Sequence, residues 1–321
     1  MISIIIPVYD GEKFIDSAIQ QILQQCLESF EIIFVDNNSK DNSLKILQAH
    51  AQKDSRIKVF AENKQGAGAA RNSGVRQAKG DYIYFFDVDD FLVQGALELM
   101  RNTLENNPET SSVFGESLKV KTRNVQEYTD LNATYSVKKA PYWGIEWFGN
   151  FSKLTGTPSF LHRKSVFQEI GYFPEEIKVG EDAFFHIKLG LNLKIINLNQ
   201  VVFLYYRHSN STVSRNNRNS SRDQIYWNQY ITIYIPYYRR GKTPQAFKVL
   251  LHKKLFASVF KLLIATQGFK KRVKLSTQLL NEMEPIKLPF LFKMYMWLII
   301  LTRSNSLYKF FAFYILPFYR G

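Results

Sequence analysis

Three groups of residues combine types and spacings that could do chemistry. Asp87-Val88-Asp89-Asp90 places three carboxylates within four residues, directly after the apolar run Tyr82 to Phe86. Like charges that close repel, and a cation relieves them. Asp87 and Asp89 share parity on an extended segment, so both can face one ligand. Hard oxygen ligands with coordination positions left over suit Mg2+ or Mn2+ held jointly with a diphosphate. The competing reading is a solvated acidic loop capping the helix after Phe91. The second group is Asn63-Lys64-Gln65-Gly66-Ala67-Gly68-Ala69-Ala70-Arg71-Asn72-Ser73-Gly74. Its glycines and small residues let a backbone approach a ligand closely, and Lys64 and Arg71 can offset phosphate charge. Glycine turns before helices are also ordinary. The third group is Gly180-Glu181-Asp182, opening a helix whose buried face would carry Phe184, Phe185, Ile187 and Leu191. Acidic residues in a first turn complement the helix dipole; a carboxylate at a cleft edge would instead serve as general base on a hydroxyl.

The surrounding pattern supplies the elements that position these groups. Strands are expected at Ile2 to Val8, Phe30 to Val35, Ile57 to Phe60 and Tyr82 to Phe86. Helices are expected at Glu12 to Leu27, Ser43 to Gln52, Gly68 to Ala78 and about Gln94 to Asn106. The turn Asp41-Asn42-Ser43 supplies the cap of the second helix. Such alternation means βαβ units and a parallel sheet covered on both faces, with ligands at the carboxyl ends of its strands. Tyr9-Asp10, Asp36-Asn37-Asn38 and Asp87-Val88-Asp89-Asp90 all fall at such ends. No Gly-x-Gly-x-x-Gly follows the first strand and no Lys-Ser/Thr ends the glycine loop, which disfavours dinucleotide and P-loop chemistry. Beyond residue 90 the pattern is mixed, with strand-like stretches around Val113 to Val120 and Val125 to Tyr135. Trp143 and Trp147 there suit either a sugar face or the core. Residues 209–223 are polar and read as a loop.

Composition excludes disorder, collagen and disulfide scaffolds: 45% of the 321 residues are hydrophobic and Cys26 is the only cysteine. The lone cysteine and an amino terminus without signal-peptide character point to the cytosol or a cytosolic surface. The net charge of +14 is unevenly spread. Residues 1–200 carry 22 Lys and Arg against 25 Asp and Glu, whereas residues 201–321 carry 20 against 3.

Taken in order, the motifs resemble the family-2 glycosyltransferases of the bacterial surface-polysaccharide type, which have the GT-A nucleotide-sugar-binding fold. The resemblance rests on Ile-Ile-Ile-Pro7-Val-Tyr9, Val-Asp36-Asn37-Asn-Ser-Lys-Asp41-Asn-Ser, Ala-Arg71-Asn72-Ser-Gly74, Asp87-Val88-Asp89-Asp90, Gly171-Tyr-Phe173, Gly180-Glu181-Asp182 and Tyr206-Arg207-His208, and spans roughly residues 1–215. It implies an α/β fold: a doubly wound, Rossmann-like GT-A domain over residues 1–222, followed by a helical, basic, aromatic-rich extension over 223–321. Pro7 and Tyr9 would line the nucleoside pocket, with Asp36 and Asn37 reading the base. Lys64, Gly66, Arg71, Asn72, Asp87 and Val88 would complete the nucleotide-sugar site. Asp89, with Asp87, would hold Mn2+ or Mg2+; His208 is a metal or phosphate ligand candidate with a structural role as its alternative. Asp182 would deprotonate the acceptor hydroxyl, giving inversion at the anomeric carbon. Relatives often carry two adjacent aspartates where this chain has Asp36-Asn37; an amide can still pair with a base edge, and a uridine diphosphate sugar is preferred as donor. The acceptor would be a lipid-linked or cell-surface glycan. A sugar-nucleotide nucleotidyltransferase, or a non-catalytic basic membrane-binding protein on the same scaffold, are the alternatives.

The tail lies outside the resemblance. Its apolar stretches Leu288 to Leu301 and Leu307 to Tyr319 contain Lys293 and Lys309, and each is shorter than a spanning helix. Aromatic and basic residues together suit helices at the interface of an anionic membrane, on its cytosolic face. A helical subdomain or a homodimer interface would carry the same composition. No nucleic-acid module is recognisable, and no nucleic-acid partner is expected.

Overall fold

The computed structural model describes residues 1–25, 27–120, 133–206, 221–240 and 242–321. Cys26, Arg207, His208, most of the Val125 to Tyr135 stretch and the polar segment up to residue 220 lie outside the described residues. Contacts divide the chain into two units, Met1–Ser209 and Asn210–Gly321; the sequence-based boundary at 222/223 falls inside the second.

The first unit alternates β1 (Ile2–Val8), α1 (Ile15–Leu23), β2 (Phe30–Asp36), α2 (Ser43–Lys53), β3 (Ile57–Ala61), α3 (Ala67–Gln77) and β4 (Tyr82–Phe85). There follow β5 (Phe91–Leu92), α4 (Ala96–Glu105), β6 (Ser112–Val120), β7 (Tyr135–Lys138), α5 (Tyr142–Gly149), β8 (Phe160–Arg163), α6 (Val166–Glu169), α7 (Glu181–Asn192) and β9 (Ile195–Tyr206). The described strands form one sheet in the order β3-β2-β1-β4-β8-β6-β9-β5, with β7 on β9. β1 pairs in parallel with both β2 and β4, so the winding direction reverses between β1 and β4. That reversal opens a crevice at the strands' carboxyl ends. Beyond β4 the sheet is mixed, because β8 runs antiparallel to β4 and β6.

Both faces are covered. Ile4, Ile6, Phe34 and Tyr84 join α1 and α4 residues in one buried cluster. On the opposite face α3 lies so close that a Cβ on Gly74 would sit 2.3 Å from Ile5 Cγ2. Helix α1 is shorter than its apolar pattern suggests. Glu12 is drawn into the loop instead, where its Oε2 accepts from the Asn42 backbone N–H and side-chain amide, both at 3.0 Å. The cap of α2 comes from Asp41, whose Oδ1 accepts from Ser43 N at 2.9 Å.

The second unit is helical: α8 (Arg222–Gln229), a π-helical turn (Tyr230–Tyr234), α9 (Ile235–Arg239), α10 (Gln245–Ala265), α11 (Phe269–Glu282), α12 (Phe290–Thr302) and α13 (Asn305–Phe310), which continues through Phe311–Ile315 to Leu316–Phe318. Its core is aromatic: Phe260 and Phe292 meet Phe311 with ring centroids 4.3 and 4.9 Å away. Part of its basic charge is structural. Buried Arg272 donates from Nε to Ile300 O at 2.7 Å and Arg303 Nε donates to Ile264 O at 2.8 Å, satisfying carbonyls near helix ends. Among the described residues no helix is long and apolar enough to cross a membrane.

Candidate active site

The crevice is built by stitching three loops together. After β1, Asp10 Oδ1 accepts from Lys40 N at 2.8 Å, and the Asp10 N–H donates to Ser39 Oγ at 3.1 Å. Gly11 N donates to Ser43 Oγ at 2.9 Å. The loops after β1 and β2 are thus one body, with Tyr9 exposed on it and Pro7 half-buried. Asp10 and Asn38 adopt positive φ, which short polar side chains tolerate best after glycine.

Asn37 joins the β2 loop to the glycine loop. Its Nδ2 donates to the carbonyls of Glu62 and Lys64, both at 2.8 Å, and its Oδ1 accepts from Gly66 N at 2.7 Å. An aspartate could not make the two donations, so the amide shapes the loop, and its hydrogen-bonding groups are taken up by the protein. Asp36 beside it differs. Its Oδ2 accepts from Ser39 N at 3.4 Å, whereas its buried Oδ1 has no partner among the described residues.

Glycine-loop residues serve a second clasp. Asn72 pairs with the backbone of Phe173 in both directions, accepting from its N at 3.0 Å and donating to its O at 2.9 Å. The same amide donates to Glu175 Oε1 at 2.7 Å, and Lys64 Nζ lies 2.8 Å from Glu175 Oε2. A Cβ on Gly68 would stand 2.9 Å from Pro174 O and 3.2 Å from Glu181 Cγ, so only glycine admits this approach. The 171–180 segment is thereby pinned to α3 and delivers the start of α7.

Arg71 is the centre of the arrangement. Fully buried, it donates from NH2 to Asp87 Oδ1 at 3.0 Å and from NH1 to Glu181 Oε1 at 3.1 Å. Its guanidinium lies 5.6 Å from the Phe173 ring centroid. Burial disfavours its charge, but Asp87, Glu181 and Asp182 together more than offset this and raise its pKa. Glu181 titrates high, at about 7, because burial and the charge of Asp182 outweigh Arg71. Asp182, next in the helix and half-buried, accepts from Ala183 N at 2.7 Å. Adjacent helical residues point about 100° apart; that geometry gives Glu181 to the interior and Asp182 to the opening.

The three carboxylates after β4 do not act as one group. Asp87 turns to Arg71, Asp89 stays half-buried, and Asp90 folds inward, where its Oδ1 accepts from Tyr206 N at 3.0 Å. Burial, then Asp87 and Asp89, push the Asp90 carboxyl well above the usual range. Val88, of opposite parity, packs on the hydrophobic core. Among the described residues no three His, Cys, Asp or Glu side chains are gathered for a cation. Asp87 and Asp89 at a crevice rim nevertheless fit a hard cation of the kind that takes one or two carboxylates and completes its shell with phosphate and water.

The tryptophans belong to packing: Trp147 is buried, and Phe114 meets Trp143 and Trp147 at 4.9 and 5.2 Å. Glu175 and the bridging role of Glu181 were not anticipated. The signal for Glu181 was its place beside Asp182 in a first helical turn.

Residues 3–167 match the family described as glycosyl transferase family 2. The glycosyltransferase GlyG of Streptococcus pneumoniae is 30% identical over 230 residues, which cover 66% of this chain and 72% of that protein. Two solved structures share the fold. The S. aureus TarS 1-349 complex with UDP-GlcNAc has TM-score 0.54 at 20% identity, covering 88% of each chain. The Pyrobaculum calidifontis mannosyltransferase PcManGT, in complex with GDP-Man and Mn2+, has TM-score 0.55 at 15% identity, covering 97% of this chain and 82% of its own. Sequence, sheet topology and crevice agree: the chain belongs to glycosyl transferase family 2, has the GT-A fold, and is a glycosyltransferase.

Proposed function

We propose that the protein transfers a sugar, with inversion, from a nucleoside diphosphate sugar to a hydroxyl of a lipid-linked or cell-surface glycan, at the cytosolic face of a membrane. The observation that carries this reading is Arg71, one buried cation that ties the Asp87 turn of the donor side to the helix presenting Asp182. Asp182 takes the proton of the acceptor hydroxyl as its oxygen attacks the anomeric carbon and the bond to the diphosphate oxygen breaks on the opposite face. One displacement inverts that carbon. A divalent cation, Mn2+ or Mg2+, held by Asp89 and Asp87 would supply neutralisation of the charge left on the departing diphosphate. Pro7 and Tyr9 flank the nucleoside. Asp36, whose Oδ1 lacks a donor among the described residues, accepts from a ring N–H of the base, which uracil and guanine offer and adenine and cytosine do not; a uridine diphosphate donor is preferred. The similar structures solved in complex with UDP-GlcNAc and with GDP-Man and Mn2+ support donor class and metal.

The test is transfer from a panel of nucleotide sugars with Mn2+ or Mg2+. Asp182→Asn is expected to lower kcat by about 10²- to 10⁴-fold, the usual contribution of a general base, with an unchanged melting temperature. The anomeric configuration of the product, read by NMR, must be opposite to that of the donor. Full activity of Asp182→Asn, or retention of configuration, overturns the mechanism.

A further inference from the structure

The second unit leaves an apolar surface uncovered. Helix α12 buries Phe292, Met296, Ile299 and Ile300, yet its other side is as apolar: Leu291, Met294, Trp297, Leu298 and Leu301 are exposed. The C-terminal helix repeats the pattern, burying Phe311 and exposing Phe310, Phe313, Tyr314 and Phe318, the last at 77%. The two helices pack on each other through Tyr295 and Phe311, 5.5 Å apart, and Tyr295 OH donates to Leu307 O at 3.1 Å. Large aromatic and aliphatic side chains exposed on two adjacent helices exceed the scattered apolar residues of an ordinary surface.

We propose that these outward faces of α12 and the C-terminal helix insert into the interfacial layer of an anionic bilayer. The proposal deepens, and rests on, the reading of a membrane-associated enzyme above. Charge selects this occupant. Residues 285–321 contain no Asp or Glu, while Lys287, Lys293, Arg303, Lys309 and Arg320 are all exposed. A second copy of the same surface would bring like charges together, whereas anionic headgroups meet them and lysine stems reach outward past buried apolar neighbours. The length fits as well: 13 residues rise only about 20 Å, short of the hydrocarbon core, so α12 lies in the interface plane.

Trp297 is a built-in probe, being exposed while Trp143 is half-buried and Trp147 and Trp227 are fully buried. The full chain is mixed with phosphatidylglycerol–phosphatidylcholine vesicles or with pure phosphatidylcholine vesicles. Wild type is expected to sediment with the former, with emission quenched by brominated lipid; Trp297→Phe should remove most of that quenching. Leu291→Glu combined with Leu298→Glu, both at exposed positions, should weaken sedimentation about tenfold or more and leave the melting temperature and donor hydrolysis unchanged. If wild type binds neither vesicle, membrane association itself fails. If wild type binds and the double variant binds equally without Trp297 quenching, this face is wrong while association by another route stands. If the double variant instead splits a dimer in solution without altering vesicle binding, the occupant is a second copy and the proposal is overturned.

Discussion

Two buried glutamates, at opposite ends of the same sheet, are treated in opposite ways. At the amino end Glu31 accepts from Ser3 Oγ at 2.7 Å and from Lys79 N at 2.6 Å, and pairs with Lys58. Ser3 Oγ in turn accepts from Gly80 N at 2.8 Å. Burial opposes its charge, but Lys58, Ser3 and the backbone N–H win, so the carboxyl titrates below the usual range. At the carboxyl end Glu181 shares one cation with Asp87 and abuts Asp182, and it titrates up to about 7. At the same end Asp36 Oδ1 and Arg71 Nε are buried without partners among the described residues. Buried polar groups are normally satisfied. The cluster around Glu31 obeys that rule and ties β1 to β2, whereas the one around Glu181 crowds two further carboxylates about a single cation.

The largest effect expected from this contrast is at Arg71. Removing one partner of a buried ion pair costs about 3–5 kcal/mol, because the remaining charges stay buried. Arg71→Met strands Glu181 and Asp87 together and should lower the chemical-denaturation stability by that amount. Arg71→Lys should recover part of it, since one ammonium cannot fork between two carboxylates. An Arg71→Met variant as stable as wild type would erase the distinction between the two ends.

A smaller effect lies in pH dependence, and here the two glutamates act in different windows. Unfolded Glu181 releases its proton near 4.5 and the folded group near 7, so between these values the folded state holds the extra proton. Stability must then fall as pH rises from 4.5 through 7, by an order of 2–3 kcal/mol. Glu31, depressed in the fold, contributes stability above 4.5 that is lost as pH falls through its folded pKa. Glu181→Gln should reduce the slope between pH 5 and 7, leaving the part that buried Asp90 contributes in the same direction, and leave the acid limb intact. An undiminished slope in the variant assigns that proton to another group.

This difference between the ends also marks how far the sequence can be read. The strands were legible because parallel strands buried on both faces are continuous apolar runs, as in Ile2 to Val8 and Phe30 to Val35. Their polar carboxyl ends were legible because aspartates and asparagines stop such runs abruptly. The links between those ends were not. Asn72 meets Phe173, and Arg71 meets Glu181, across more than a hundred residues, and no local periodicity encodes a partner that distant. β8 is not legible in the sequence because His162 and Arg163 interrupt its apolar character, although His162 is buried and its Nδ1 lies 2.9 Å from Ser112 Oγ. In α12 the apolar residues surround the helix, so composition alone left its inward and outward sides indistinguishable.

The smallest effect tests whether the amino-terminal glutamate is as secure as its hydrogen bonds suggest. Lys58 is part-exposed, and its ammonium remains partly solvated. Lys58→Met removes the cation but leaves Ser3 Oγ and the Lys79 N–H on the carboxylate, and such charge-assisted bonds are shorter and stronger than neutral ones. The expected loss is therefore only about 1 kcal/mol, several times less than at Arg71, with the acid limb of the stability curve moved to higher pH. A loss as large as that of Arg71→Met would mean that Glu31 depends on its cation as fully as Glu181 and Asp87 do. The contrast between a satisfied end and an unsatisfied one would then reduce to a difference in geometry rather than in function.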